Sequence, residues 1–278
     1  MGWGALAAPL SRELSAMEIA TPAGALYAST GGKPFDPAQP TVVFIHGAGM
    51  DHTVWALQTR WFAHHGRNVL AVDLPGHGRS AGPALRDIDA MADCVLAALD
   101  TVGAKRAALV GHSMGALVAL AAAGRAPDRV AGLALLGVTP LMPVHPDLLA
   151  QAASGAHNAV DLIVTWAVGR QAQLGANEAP GLWLTGAALR LLERADPAVL
   201  AGDLAACDAY RGAAAAAASV TAPTLLLLGG DDRMAPPGKA VAFARTFRDG
   251  RSTVLRGVGH MMILEDPAAV LAALKEVV

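Results

Sequence analysis

Two hydrophobic patterns alternate along most of this chain. One is a short run of adjacent apolar, often β-branched residues, which is typical of a strand buried on both faces of a sheet. The other places apolar residues three or four positions apart, which is typical of a helix with one buried face. The first pattern occurs at residues 41–45, 69–72, 106–110, 130–136, 224–228 and 252–255. The second occurs at residues 53–65, 87–101, 116–123 and 238–247, and in a last helix that opens near residues 265–267.

Strands that alternate with helices predict a parallel sheet covered by helices on both sides. Ahead of the first of these strands, two short apolar runs flank Pro22 and Gly24, so residues 15–29 predict an opening β-hairpin. We therefore expect an α/β fold with a mostly parallel central sheet flanked by helices.

The alternation stops between residues 139 and 221. This stretch holds helical patterns separated by glycine and proline, at residues 147–153, 159–168, 186–194, 197–206 and 213–218. The last is a run of alanines, which a helix explains more simply than a functional tract does. A helical insertion after the sixth strand would lie over the crevice at the strand ends. We expect a core domain of residues 15–138 and 222–278, and a helical cap of residues 139–221.

Composition narrows the class of protein. Of the 278 residues, 54% are hydrophobic and 16% are charged, and the net charge is −2. These values suit one large core and give no reason to expect a nucleic acid or a membrane as partner. The two cysteines, Cys94 and Cys207, lack metal-ligand spacing and fit a reducing compartment. The N-terminal segment lacks a basic leader and is broken by Pro9, so we expect no signal peptide and a cytoplasmic protein.

A serine stands between two glycines in the segment Gly111-His112-Ser113-Met114-Gly115, which joins a predicted strand to a predicted helix. That setting is typical of a nucleophile elbow. The glycines leave room for a strained backbone, and the hydroxyl then projects above the sheet toward the N–H groups of the helix. Ser113 is therefore the candidate nucleophile, although the same five residues could form a turn with an idle serine.

A serine hydroxyl needs a general base, and the base needs an acid that fixes its tautomer. The candidate acids Asp231 and Asp232 follow the strand at residues 224–228, and His260 follows the strand at residues 252–255. The carboxyl ends of parallel strands lie at one edge of a sheet, so we expect these side chains beside the serine. Their order along the chain, Ser, Asp and His, is that of an α/β-hydrolase triad.

The other histidines are weaker candidates for the base. His64 and His65 fall at a helix end, where solvation is expected, and His145 and His157 belong to the predicted cap. His112 is expected to pack beneath the elbow. No set of histidine, cysteine and acidic residues has metal-ligand spacing, so we predict no catalytic metal.

Further motifs make the chain similar to the α/β-hydrolase superfamily, and specifically to its capped, esterase-like branch. The resemblance runs from the opening hairpin to the last helix. Besides the elbow, it rests on His46-Gly47-Ala48-Gly49, Asp73-Leu74-Pro75-Gly76-His77-Gly78-Arg79-Ser80, Gly229-x-x-Asp232-Arg233-x-x-Pro236 and Gly257-x-Gly259-His260-x-x-x-x-Glu265-x-Pro267.

The resemblance assigns roles to particular positions. It implies that Asp232, rather than Asp231, is the acid of the triad. It also implies an oxyanion hole formed by the backbone N–H groups of Met114 and Ala48, with Gly49 as a possible third donor. We expect a small-molecule substrate and no cofactor.

The expected function is hydrolysis of a small, apolar carboxylic ester through an acyl-enzyme. Within the same fold, hydrolysis of a carbon–carbon bond or a lactone is an alternative, although Met261 stands where carbon–carbon hydrolases typically carry an aromatic residue. A low-turnover receptor that binds a ligand is an alternative of another class. Side chains that could line an apolar pocket or belong to the core are Trp55, Met142, Trp166, Trp183, Met261 and Met262, with core the better explanation for Trp166 and Trp183. The sequence does not indicate an oligomeric state.

Overall fold

Eight strands form one sheet in the computed structural model, which describes residues 16–176 and 183–278. The strands are β1 (Ala16–Thr21), β2 (Gly24–Ser29), β3 (Thr41–Ile45), β4 (Asn68–Val72), β5 (Ala107–His112), β6 (Val130–Leu136), β7 (Thr224–Gly229) and β8 (Gly250–Leu255). Their spatial order is β1-β2-β4-β3-β5-β6-β7-β8. β2 pairs antiparallel with β1 and β4, and all other pairs are parallel. The predicted hairpin and the mostly parallel sheet are confirmed.

Helices cover both faces of this sheet. In the described residues they are α1 (Ala56–His64), α2 (Ile88–Thr101), α3 (Met114–Arg125), α4 (Pro146–Ala153), α5 (Asn158–Ala167), α6 (Arg170–Gln173), α7 (Leu184–Leu192), α8 (Pro197–Ala209), α9 (Ala213–Ser219), α10 (Pro237–Ala244), α11 (Met262–Glu265) and α12 (Pro267–Leu274). The predicted helix at residues 53–65 begins as the 3₁₀ turn His52–Trp55, in which the N–H of Thr53 donates to the Asp51 carboxylate. The last helix opens as predicted, with Asp266 as its N-cap.

The helices α4 to α9 all lie between β6 and β7 along the chain, at the place where the alternation of patterns stops. The boundary between a core domain and a cap domain stays a prediction. The N-terminal segment for which no signal peptide is expected lies outside the described residues. In the described part, no helix combines the length and the apolar character needed to cross a membrane.

The continuous apolar runs have the expected physical cause, because successive side chains enter different apolar layers. Leu109 of β5 packs into the layer that contains α2 and α3, whereas its neighbour Val110 packs into the layer that contains α1 and α12. Each such side chain contributes about 1.5–3 kcal/mol when it is fully buried.

Helix α3 runs through the interior directly behind the elbow. Its residues from Met114 to Ala123 are all buried. Small side chains let the alanine-rich helix α9 approach closely, since a Cβ atom at Gly124 would lie 2.7 Å from the Cα of Ala216. The alanine run is thus a packed helix, as predicted.

The parallel strands end nearly level with one another. Ile45 pairs in register with Val72 and with Gly111, and Leu136 pairs with His112 and with Leu227. Gly229 of β7 pairs in the same way with Leu255 of β8, so the loops that leave β3, β4, β5, β7 and β8 all begin at one edge of the sheet. These loops carry the residues singled out in the sequence.

Candidate active site

Ser113 forms the turn between β5 and α3. Its backbone angles are φ 53° and ψ −117°, and it is the one non-glycine residue with positive φ in the part of the chain that the structure describes. Such a conformation is strained for a residue with a side chain, and it persists only where the surroundings enforce it. Here β5 is paired up to His112, and the Ser113 N–H donates to the carbonyl of Leu136 at 2.8 Å. The serine side chain is buried but reaches the surface of a cavity.

The two glycines of the elbow are required by close backbone contacts. A Cβ atom at Gly111 would overlap the carbonyl oxygen of Gly115, and a Cβ at Gly115 would overlap the carbonyl oxygens of Ile45 and His46. Any side chain at either position would force the turn apart. The spacing of glycine, serine and glycine therefore has a direct steric reason.

His260 and Asp232 are in direct contact. The Nδ1 atom of His260 lies 2.7 Å from Oδ2 of Asp232, and both side chains are buried. Oδ1 of Asp232 accepts hydrogen bonds from the N–H groups of Met234 and Ala235, at 2.9 and 2.7 Å, which fix the carboxylate. Asp231 is exposed and uses its own N–H on the carbonyl of Val258, so the structure brings Asp232 rather than Asp231 to the histidine.

The tautomer of His260 follows from this contact. A proton on Nδ1 is donated to the carboxylate, so Nε2 carries the free lone pair. Nε2 is buried and has no hydrogen-bond partner among the described residues. Within the residues that the structure describes, no hydrogen bond joins His260 to Ser113. Both residues nevertheless line the same cavity.

That cavity has a volume of about 490 Å³ and an apolar wall. The side chains of the wall include Met50, Met142, Ile163, Trp166, Leu204 and Met261. Polar groups reach it from Ser113, His145, Arg233 and His260. The expectation that Trp166 belongs to the core is corrected, because this side chain is only partly buried and faces the cavity.

The other candidate pocket residues take different places. Trp55 is fully buried against Phe44, with ring centroids 5.2 Å apart, and Met262 is also in the core. Trp183 is 69% exposed, so the expectation of a core position is wrong for it as well. Its ring lies instead over Gly186, where no side chain would fit.

His112 packs beneath the elbow, as expected, and it also holds His260. Its Nε2–H donates to the backbone carbonyl of His260 at 2.8 Å, and the two rings lie 4.9 Å apart. Burial, and to a lesser extent the proximity of the His260 ring, lowers the pKa of His112 to about 3. His112 is therefore neutral and cannot compete for the role of base. The sequence pointed to packing here but not to this hydrogen bond.

The loop of His260 is also tied to the helices between β6 and β7. The carbonyl of Ala167, at the end of α5, accepts from the N–H groups of His260 and Met261 at 2.6 and 3.1 Å. Oε2 of Glu265 accepts from the N–H groups of Gly169 and Gly259, at 3.0 and 2.9 Å. Burial raises the pKa of Glu265, although these N–H groups oppose the shift. The family motif contained Glu265, but nothing in the sequence indicated Ala167.

The turn after β3 contains the expected oxyanion donors. The N–H groups of Ala48 and Met114 donate no hydrogen bond within the described residues. The N–H of Gly49, by contrast, donates to Oδ2 of Asp203 at 2.8 Å. This contact removes Gly49 from the candidate oxyanion donors, because its one N–H is already engaged.

His46 of the same turn is a structural residue. Its Nδ1–H donates to the carbonyl of Gly47 at 2.9 Å, and its Nε2 accepts from the N–H of Leu74 at 3.1 Å. Burial, with a further contribution from the charge of His77, lowers the pKa of His46 to about 4. Both ring nitrogens are occupied, so His46 fixes the turn rather than exchanging protons.

One group of side chains in the described residues could offer three metal ligands, namely Asp51, His52 and Asp73. Their atoms already have protein partners. Asp73 accepts from the backbone N–H and from Nδ1 of His52, and Asp51 accepts from the N–H of Thr53. These bonds connect the loops after β3 and β4, which is a structural role.

The sheet, the elbow and the cavity together define the class of protein. The chain belongs to the alpha/beta hydrolase family, which it matches over residues 42–274. Its fold is similar to that of the enol-lactonase from Burkholderia xenovorans LB400, with a TM-score of 0.84 and 22% identity over 94% of this chain and 98% of that one.

Two curated proteins are similar in sequence over part of the chain. The dihydrolipoyllysine-residue acetyltransferase component of the acetoin cleaving system of Pseudomonas putida is 46% identical over 96 residues, which are 34% of this chain and 26% of that protein. The pimeloyl-[acyl-carrier protein] methyl ester esterase of Methylococcus capsulatus is 42% identical over 107 residues, which are 38% of this chain and 40% of that protein. The matched segments thus span less than half of either relative.

Proposed function

We propose that this protein is a serine hydrolase that cleaves small, apolar carboxylic esters through an acyl-enzyme. The observation that carries the proposal is the 2.7 Å contact between His260 and Asp232, which leaves Nε2 of the histidine unpaired in a cavity that Ser113 also lines. A buried histidine oriented by a carboxylate beside a strained serine is the arrangement that activates a hydroxyl nucleophile.

In the proposed mechanism, Oγ of Ser113 attacks the ester carbonyl while Nε2 of His260 accepts its proton. Asp232 keeps the imidazole oriented and stabilises the imidazolium that forms. The same proton then passes from Nε2 to the leaving alkoxide, which departs as the alcohol. Water adds to the acyl-enzyme by the same route, so that Ser113 is regenerated and the carboxylic acid is released.

The negative charge on the tetrahedral intermediate needs two or more donors. The unpaired N–H groups of Ala48 and Met114 support this role, since each belongs to a turn at the same sheet edge as Ser113. Met114 is the first residue of α3, whose N-terminus adds a favourable dipole. One oxyanion donor typically contributes about 2.7–4 kcal/mol of transition-state stabilisation.

The cavity supports an apolar acyl or alcohol group of moderate size. Its wall is built mainly from methionine, leucine, isoleucine and tryptophan side chains, and its volume of about 490 Å³ falls within the range of small-molecule sites. A lactone is a cyclic ester, so the same residues would open one. Hydrolysis of a carbon–carbon bond is the competing proposal within the fold, and the methionine at position 261 weighs against it.

The test is a panel of p-nitrophenyl esters with acyl chains from two to twelve carbons, assayed with the native protein and with Ser113→Ala and His260→Ala. We expect hydrolysis of the shorter esters, its loss in both variants, and covalent labelling of Ser113 by a fluorophosphonate. Native protein that neither hydrolyses esters nor takes the label would support a ligand-binding receptor. Faster turnover of a ring-cleavage diketone than of any ester would support carbon–carbon hydrolysis instead.

A further inference from the structure

A buried carboxylate from the inserted helices reaches the turn that carries Ala48. Asp203 lies on α8 and has no exposed surface. Its Oδ2 atom accepts from the N–H of Gly49 and from Nε2 of His77, both at 2.8 Å. Oδ1 is buried and has no hydrogen-bond partner among the described residues, so both donors converge on one oxygen. Asp203 thus connects three segments that are far apart in the sequence.

The surroundings of the partner histidine favour its positively charged form. Nδ1 of His77 lies 3.1 Å from the carbonyl of Pro75 and Nε2 faces Asp203, so both ring nitrogens are placed to donate. Only the doubly protonated ring can do so. Burial by itself would lower the pKa of His77, but the hydrogen bond and the charge of Asp203 outweigh it and raise the pKa. The buried carboxylate therefore faces a strong hydrogen-bond donor, 2.8 Å away.

Helix α8 touches the same turn a second time. Gly49 has φ 64°, and a Cβ atom on it would lie 2.8 Å from Cδ1 of Leu200, one turn of helix before Asp203. Further along α8, Leu204 and Cys207 line the cavity. One helix of the insertion therefore borders the cavity and holds the backbone next to Ala48.

We propose that Asp203 is a positioning residue, which fixes the turn of Ala48 and Gly49 so that the Ala48 N–H is aimed at the oxyanion. The inference rests on the proposed function above. The Gly49 N–H and the Ala48 N–H belong to successive peptide planes. The hydrogen bond to Asp203 holds the peptide plane that contains the Gly49 N–H. It thereby limits the rotation of the neighbouring plane, which contains the Ala48 N–H. A donor that is already oriented needs no reorganisation when the negative charge appears.

The test compares Asp203→Asn and Asp203→Ala with the matched control Asp196→Asn. Asp196 is the N-cap of the same helix, where asparagine caps as well as aspartate does. With a short-chain p-nitrophenyl ester, we expect kcat to fall about tenfold in Asp203→Asn and about a hundredfold in Asp203→Ala, with KM nearly unchanged. The control is expected to keep its kcat. Partial retention in the asparagine variant reflects its neutral oxygen, which still accepts from Gly49.

Nuclear magnetic resonance can follow the hydrogen bond between the Gly49 N–H and Asp203 without an activity assay. We expect the Gly49 amide proton to shift upfield and to exchange faster in Asp203→Asn, but not in Asp196→Asn. This readout also serves if Asp203→Ala does not fold.

Native kcat in Asp203→Asn with a lower melting temperature would overturn the inference, because Asp203 would then be only structural. A raised KM at native kcat would also overturn it. If the native protein hydrolyses no ester, the proposed function fails and this inference fails with it; if the native protein is active and the Asp203 variants equal it, only the inference fails.

Discussion

Replacing His112 by glutamine tests how the buried histidine beneath the elbow affects stability. Glutamine can place an N–H near the position of Nε2, so the hydrogen bond to the His260 carbonyl is kept, while the titrating group is removed. In the folded protein the pKa of His112 is about 3, well below its ordinary value of 6.5, chiefly because of burial. The unfolded chain therefore takes up a proton below pH 6.5 that the folded chain refuses.

The sign and size of the effect follow from this difference. Stability is lost as the pH falls through 6.5, and the loss levels off only near the folded pKa of about 3. At pH 5, which lies 1.5 units below the unfolded pKa of 6.5, protonation of this histidine stabilises the unfolded state by about 2 kcal/mol. This figure depends only on the unfolded pKa as long as the folded pKa lies clearly below 5.

The assay is urea unfolding of the native protein and of His112→Gln at several pH values from 7.5 to 5. We expect the free energy of unfolding of the native protein to fall about 2 kcal/mol more than that of the variant over this range. The control Leu57→Gln changes an exposed side chain of α1 that binds no proton, so its difference from the native protein should stay constant with pH. A constant difference for His112→Gln as well would refute the reasoning.

Two further variants test the surroundings of His260. Gly137 has φ 62°, and a Cβ atom there would lie 2.9 Å from the His260 ring. Gly137→Ala should therefore displace the imidazole and lower kcat/KM about a hundredfold in the ester assay. Native turnover in this variant would contradict the expectation. Glu265→Leu leaves the buried N–H groups of Gly169 and Gly259 without their acceptor, which should cost about 1–3 kcal/mol for each in urea unfolding. Glu265→Gln keeps an acceptor oxygen and serves as its control, and equal losses in the two variants would argue against the role of these hydrogen bonds.

The sheet was predictable because its evidence is local. In the strand Thr41–Ile45, every residue after the threonine is apolar, and the structure buries all five positions. The hairpin and the alanine helix α9 were recognised for the same reason, since turn residues and helix formers act within a few residues. The elbow was predictable as well, because its two glycines are required for a steric reason. A Cβ atom at position 111 or 115 would overlap backbone atoms of adjacent segments.

The surroundings of the site were less predictable. Spacing alone left Asp231 and Asp232 as equal candidates, and the family motif was needed to prefer Asp232. The two tryptophans of the insertion had similar helical patterns, yet Trp166 faces the cavity and Trp183 is exposed. A periodic pattern shows which face of a helix is apolar, but not whether that face meets the core or a cavity.

By itself, the sequence determined the order of strands and helices, the sharp turn at Ser113, and the strand ends at which Asp232 and His260 occur. These features depend on side-chain periodicity and on glycine, which act over short distances. Only the tertiary structure decided that Asp203 meets Gly49 and His77, and that the Ala167 carbonyl holds the loop of His260. Such contacts join residues that are far apart in the chain, so no local pattern of side chains could indicate them.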